Sequence, residues 1–89
     1  MKIKLELFGA SRDFSNKEFL EFNIKQKIEI KDFRKEVINY LDKNFKGNES
    51  FIKIVKNSAF CSEDNNIIND DFKIIKDQKI GIIPPIGGG

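Results

Sequence analysis

Residues 2–24, KIKLELFGASRDFSNKEFLEFNI, carry the pattern that decides the fold. Within 2–8, apolar Ile3, Leu5 and Leu7 alternate with Lys2, Lys4 and Glu6. Successive side chains of a strand point to opposite faces, so this alternation predicts a half-buried strand. Residues 17–24 repeat it, with Leu20, Phe22 and Ile24 on one side. Between them GASRDFSN (9–16) supplies Gly, Ser, Asp and Asn, whose short side chains bond the local backbone or, in Gly, leave it free to turn. Two alternating runs around a short polar loop predict an antiparallel hairpin.

Downstream the period changes. Ile30, Phe33, Val37, Tyr40, Leu41 and Phe45 recur at steps of three and four, one stripe of an amphipathic helix of about four turns. Its start falls near Glu29, and Gly47 is placed to end it. Asp32 and Glu36 sit early and Lys43 and Lys46 late, as the helix dipole favours. After the polar break 47–50, FIKIVK (51–56) reads as a third strand and SAFC (58–61) as a short fourth. Residues 63–72 are polar and turn-rich, with Ile67 and Ile68 as an anchor. KIGII (79–83) is the last apolar strand, and Pro84-Pro85 cannot continue a central one. Strands around a single main helix predict an α+β two-layer roll: a mixed sheet of four to five strands packed on that helix. If the last strand lies beside the first, that pair is parallel.

Composition narrows the chemistry. With 89 residues there is room for one domain; nine Phe and fifteen Ile supply its core despite 34% charged residues. A net charge of +2 is too small to argue for a nucleic acid or an anionic membrane. There is no His, hence no His general base, no Ser/His or Cys/His nucleophile pair and no His metal ligand. The lone Cys61 excludes an intramolecular disulfide and a thiolate zinc cage. No apolar run reaches the roughly 18 residues of a membrane span. The opening Met-Lys-Ile-Lys-Leu-Glu lacks the pattern of a signal peptide, so the cytoplasm is the expected location. The residues give no reason to expect a self-contained enzyme.

The last six residues, Pro84-Pro85-Ile86-Gly87-Gly88-Gly89, differ from everything before them. The prolines stiffen the exit from the final strand. Glycine backbone can enter a channel too narrow for any other residue. Extended, Ile86 to Gly89 would reach on the order of 13 Å beyond the domain. At its tip would stand an unhindered α-carboxylate. A carboxylate is a poor acyl donor, because its leaving group is oxide. ATP would turn it into an acyl-adenylate, and a sulfur nucleophile displacing AMP would leave a thiocarboxylate. The expected organisation is a domain over 1–85 carrying a flexible tail over 86–89.

With these residues in place, the chain resembles the MoaD/ThiS family of ubiquitin-like sulfur carriers. It is most similar to the branch that supplies the small subunit of molybdopterin synthase (molybdopterin-converting factor subunit 1). The resemblance rests on the first strand ending Phe8-Gly9-Ala10, the second strand, the helix, Asn57, and the ending Ile80-Gly-Ile-Ile-Pro-Pro-Ile-Gly-Gly-Gly89. Asp77-Gln78 stands where the family often has Gly-Asp, and residues 61–72 match it poorly. The resemblance implies a β-grasp fold. It implies that a ubiquitin-activating-type enzyme adenylates Gly89, next to Gly88, and that a sulfurtransferase supplies sulfur. The thiocarboxylate tail would then enter the large subunit of molybdopterin synthase, in a heterotetramer. There it would donate sulfur to cyclic pyranopterin monophosphate. ATP would be used by the activating enzyme, and the carrier would hold no cofactor or metal. Alternatives with the same tail are a ThiS-like or other sulfur carrier and a ubiquitin-like modifier of lysines; an inert interaction module is a fourth reading. The Pro-Pro favours the molybdopterin branch.

Partner-binding residues are expected at Pro84, Pro85, Ile86 and Gly87, and at Phe60, Ile80 and Ile82 if the sheet face away from the helix is apolar. Ordinary core packing is the competing reading for the last three. Cys61 reads as a sulfur-relay thiol or, more commonly for such a residue, a small core side chain. Glu63-Asp64 and Asp70-Asp71 lack a recognisable ligand spacing and read as solvated turns. Lys53, Lys56, Lys73 and Lys79 read as a basic area or a solvated face.

Overall fold

A computed structural model describes residues 1–85. The elements run β1 (Lys2–Leu7), a 3-10 helix (Gly9–Phe14), β2 (Phe19–Asn23), β3 (Ile28–Glu29), α1 (Ile30–Asn44), α2 (Glu49–Asn57), β4 (Ala59–Cys61), β5 (Ile67–Ile68), β6 (Lys73–Ile74) and β7 (Gln78–Ile83). A five-stranded mixed sheet has the order β2-β1-β7-β4-β5, and β3 and β6 form a separate two-stranded ribbon. The hairpin β1–β2 is antiparallel, with Leu5 opposite Leu20. Strand β7 lies parallel to β1, Leu5 opposite Ile80, as expected for a last strand returning beside the first. On its other edge β7 is antiparallel to β4.

The core follows the alternation. Ile3, Leu5 and Leu7 of β1, Leu20 of β2, Phe60 of β4, and Ile80 and Ile82 of β7 are buried against Ile30, Phe33, Val37 and Leu41 of α1. Each such side chain contributes about 1.5–3 kcal/mol by leaving water. Helix α1 starts after Glu29, which has extended backbone, and ends at Asn44. Lys46 and Gly47 then adopt φ of 52° and 71°, the left-handed turn that Gly47 favours.

Three stretches differ from their sequence expectation. Residues 51–56 are helical, within α2, rather than a third strand. Asn48 caps this helix, its Oδ1 accepting the Phe51 N–H at 3.2 Å. Val55 is buried, while Phe51 packs on Phe14 and Phe45 with ring centroids 5.0 Å away in each case. The loop 9–16 is more ordered than a plain turn: its 3-10 helix buries Ser11 and Phe14. Ile67 and Ile68 form β5 rather than a mere loop anchor, at the edge of the main sheet.

Asp77, at the departure from the family pattern, serves the fold directly. Its Oδ1 accepts the Lys2 N–H at 2.8 Å and ties the last turn to β1. Glu63 does the same for β7, accepting the Lys79 N–H at 2.8 Å where β4 has already ended.

Candidate functional site

Strand β7 sends Ile80 and Ile82 into the core, so Lys79, Gly81 and Ile83 face the opposite side of the sheet. Register places Cys61 beside Gly81, Ala59 beside Ile83, and Ile67 beside Cys61 on that outer face. The ring of Phe8 lies across Gly81 from the end of β1. Phe8 is 41% exposed, Ile83 37% and Ile67 62%. These side chains form an apolar patch around the point where the chain leaves the sheet.

The exit is built by the corner after β1. The Ser11 hydroxyl accepts the Phe8 N–H at 2.9 Å and donates to the Phe8 carbonyl at 2.6 Å. Gly9 follows at φ 54°, and a side-chain carbon there would lie 3.9 Å from the Pro84 ring. Pro84 is half-buried against this corner, and Pro85 is exposed. The expected tail residues Ile86, Gly87, Gly88 and Gly89 lie outside the described residues.

The neighbouring part of the outer face is ionic. Lys79 pairs with Glu6 at 3.4 Å and Lys2 with Glu21 at 3.9 Å, while the Lys4 ammonium sits 4.1 Å from the centre of the Phe19 ring. Exposed pairs of this kind add little stability. They border the apolar patch with charge.

The structure corrects part of the expected docking set. Phe60, Ile80 and Ile82 are 0% exposed, because all three point toward α1. The large apolar residues exposed on the outer face are Phe8, Ile67 and Ile83, which sequence reasoning did not single out for docking. A signal existed: Phe8 falls on the charged side of the β1 alternation, with Lys2, Lys4 and Glu6. Continued one step past Leu7, the alternation puts Phe8 on that outward side.

The remaining candidates disperse. Cys61 is a free, buried thiol packed between Gly81 and its strand neighbours. Lys53 and Lys56 lie on α2, Lys73 on β6 and Lys79 on β7, and Lys79 is engaged by Glu6. Asp70 pairs with Arg34 at 3.2 Å. Among the described residues no group of three or more Cys, Asp or Glu is arranged to hold a metal ion. Among them, too, no helix is long and apolar enough to cross a membrane.

No protein-family model matches the chain, and neither does any curated protein. Solved structures do. SAMP1 from Haloferax volcanii superposes with a TM-score of 0.68 at 10% identity, covering 100% of both chains. A Pyrococcus furiosus protein, provisionally described as molybdopterin converting factor subunit 1, gives 0.67 at 14% identity over 96% of this chain and 98% of that one. Identities this low speak for architecture alone. The five-stranded mixed sheet, the helix across it and these full-length superpositions together establish a MoaD-type, ubiquitin-like β-grasp fold.

Proposed function

We propose that the chain is a sulfur carrier of molybdopterin biosynthesis. The carboxylate of Gly89 attacks the α-phosphorus of ATP in an adenylating enzyme of the ubiquitin-activating type, and pyrophosphate leaves. The terminal sulfur of a sulfurtransferase persulfide then attacks the acyl carbon and AMP leaves, giving an acyl disulfide; a thiol reductant attacks the sulfurtransferase sulfur of that S–S bond, forms a disulfide with it, and the thiocarboxylate leaves. This tail enters the large subunit of molybdopterin synthase, where cyclic pyranopterin monophosphate takes the sulfur. The working assembly is two small and two large subunits. Catalytic side chains belong to the partners, and ATP is bound by the activating enzyme.

One observation carries the reading. The sheet closes its core with Ile82, and the next residues leave at Pro84-Pro85 beside an exposed apolar patch. A Gly-Gly ending follows in the sequence. A reactive tail needs such a placement: a partner must hold the domain by one surface while taking the tail into its own site. Pro84-Pro85 ahead of the glycines favours this pathway among those using the same tail chemistry. The patch of Phe8, Ile67 and Ile83 is the docking face for the adenylating enzyme in this reading.

Incubation with ATP, the adenylating enzyme and a sulfur donor, followed by intact-mass analysis, tests it. One oxygen replaced by sulfur supports a carrier, and capture of the large synthase subunit selects the molybdopterin pathway. Adducts on lysines of other proteins would indicate a ubiquitin-like modifier instead, and capture of a different sulfur acceptor a ThiS-like carrier.

A further inference from the structure

We propose that the outer face of the β3–β6 ribbon is a docking surface for an acidic protein segment that carries an aliphatic side chain. The proposal is independent of the sulfur-carrier reading and concerns the end of the sheet away from the tail's exit.

The ribbon pairs Ile28 with Ile74 and Glu29 with Lys73. Ile74 is fully buried, so the alternation turns Glu29 and Lys73 outward. One step beyond the ladder, Lys27 and Ile75 fall on the same outward side, and both are exposed. Lys27 and Lys73 flank one shallow cleft whose floor is Ile28 and Glu29. Exposed Lys25 and Lys76 extend the positive charge along the two strands.

These four lysines have no local use. Among the described residues none of them is ion-paired. Glu29 stands across from Lys73, but its carboxylate is engaged by Lys31 at 3.4 Å. The Asp77 carboxylate accepts the Lys2 N–H. Lysines elsewhere are occupied: Lys4 and Lys17 lie over the Phe19 ring, and Lys43 and Lys56 sit in the last turns of helices, where a cation suits the dipole. The four ribbon lysines carry more charge than the chain's net +2, so the remaining residues together are net negative. Like charges gathered on one small surface repel, and an arriving anion relieves that cost.

Two features specify the anion. Ile75 is 62% exposed among the lysines, and an apolar side chain ringed by charge suits a protein partner. The ribbon strands, Ile28–Glu29 and Lys73–Ile74, carry no aromatic on which a nucleic-acid base could stack. An acidic segment with an aliphatic residue answers both: carboxylates meet the ammonium groups, and the aliphatic side chain covers Ile75. The site is also remote from the tail. Strand β7 runs six residues from Gln78, just after the ribbon, to Ile83 at the exit, about 20 Å at the rise of a strand. A partner on the ribbon therefore leaves the exit uncovered.

Nuclear magnetic resonance titration of the full-length chain tests this, with a synthetic peptide of glutamates around a central leucine pair as the probe. Amide shifts should change at residues 25–28 and 73–76. Binding should weaken as salt rises from about 0.01 M to about 0.15 M, where the screening length falls from about 30 Å to about 8 Å. Lys27→Glu with Lys73→Glu should weaken binding by about tenfold or more. The milder Lys27→Gln with Lys73→Gln should weaken it too, with a melting temperature no lower than wild type. Ile75→Ala should weaken binding without changing its salt dependence, whereas Lys53→Glu on α2 should leave it unchanged. Shifts spread over lysines of the whole surface, or neutralised variants that bind as tightly as wild type, refute the site. A peptide whose leucines are replaced by serine binding equally well refutes the role of Ile75. If poly-uridine or phosphatidylserine vesicles move residues 25–28 and 73–76 at lower concentration than the peptide does, the assignment to a protein partner is overturned.

Discussion

Arg34 on α1 holds the end of α2 through Ser58: its Nη1 donates to the Ser58 carbonyl at 2.7 Å and to the Val55 carbonyl at 2.8 Å. The guanidinium lies 4.8 Å from the centre of the Phe60 ring, and its side chain is 20% exposed. Helix ends leave carbonyls without partners, and a cation suits that end of the dipole. Arg34→Ala takes the guanidinium donor from the Ser58 carbonyl and leaves the Val55 carbonyl only the Ser58 N–H at 3.3 Å, so it should cost about 1–3 kcal/mol in urea unfolding. Arg34→Lys should recover little of this, since an ammonium lacks the planar fork. Asp70→Ala should change stability by less than about 0.5 kcal/mol, because that carboxylate is exposed.

The two faces of the sheet should respond to substitution in opposite ways. Phe60→Ala, Ile80→Ala or Ile82→Ala removes a fully buried side chain, and a loss of about 2–5 kcal/mol is expected in each case. Ile67→Ala, at a 62% exposed site, should shift stability by no more than about 0.5 kcal/mol. Its effect should appear in calorimetric titration with the adenylating enzyme as weaker binding. Equal unfolding by both sets would contradict the assignment of faces.

Helix α2 can be probed at its first residue. Asn48→Ala removes the side-chain acceptor for the Phe51 N–H and should lower stability by about 1 kcal/mol in thermal or denaturant melts. A strand over 51–56 would show no such loss, because no helix end would need capping.

Much of the fold was legible because its pattern was clean. In β1 every second residue is apolar from Ile3 to Leu7, and in α1 the stripe from Ile30 to Leu41 keeps helical spacing. FIKIVK failed for a physical reason: six residues rich in β-branched side chains fit either period. The deciding signal lay just outside it, in Asn48 as a cap and Glu49 in the first turn. The exposed apolar face was misplaced for a related reason. Alternation says that Ile80 and Ile82 share a face, and Gly81 and Ile83 the other. With apolar residues on both, it does not say which one a helix covers. Phe8 and Gly81 were readable as a pair only once β7 was known to lie beside β1.

The tail and the domain should separate cleanly. Every buried apolar residue among those described lies between Ile3 and Ile82. A chain lacking Gly89 is expected to keep the wild-type melting temperature and to lose sulfur loading entirely. A chain extended by one residue past Gly89 should likewise melt normally and remain unloaded, since the carboxylate would stand at the wrong reach. A large drop in melting temperature for either variant would contradict the division at Pro85.

The most direct measurement is tandem mass spectrometry of the C-terminal peptide after reaction with ATP, the adenylating enzyme and a sulfur donor. The sulfur should map to the carbonyl of Gly89, with none on Cys61, and Cys61→Ala should load as fully as wild type. Sulfur retained on Cys61, or a terminal peptide of unchanged mass beside partners proven competent, would contradict the account.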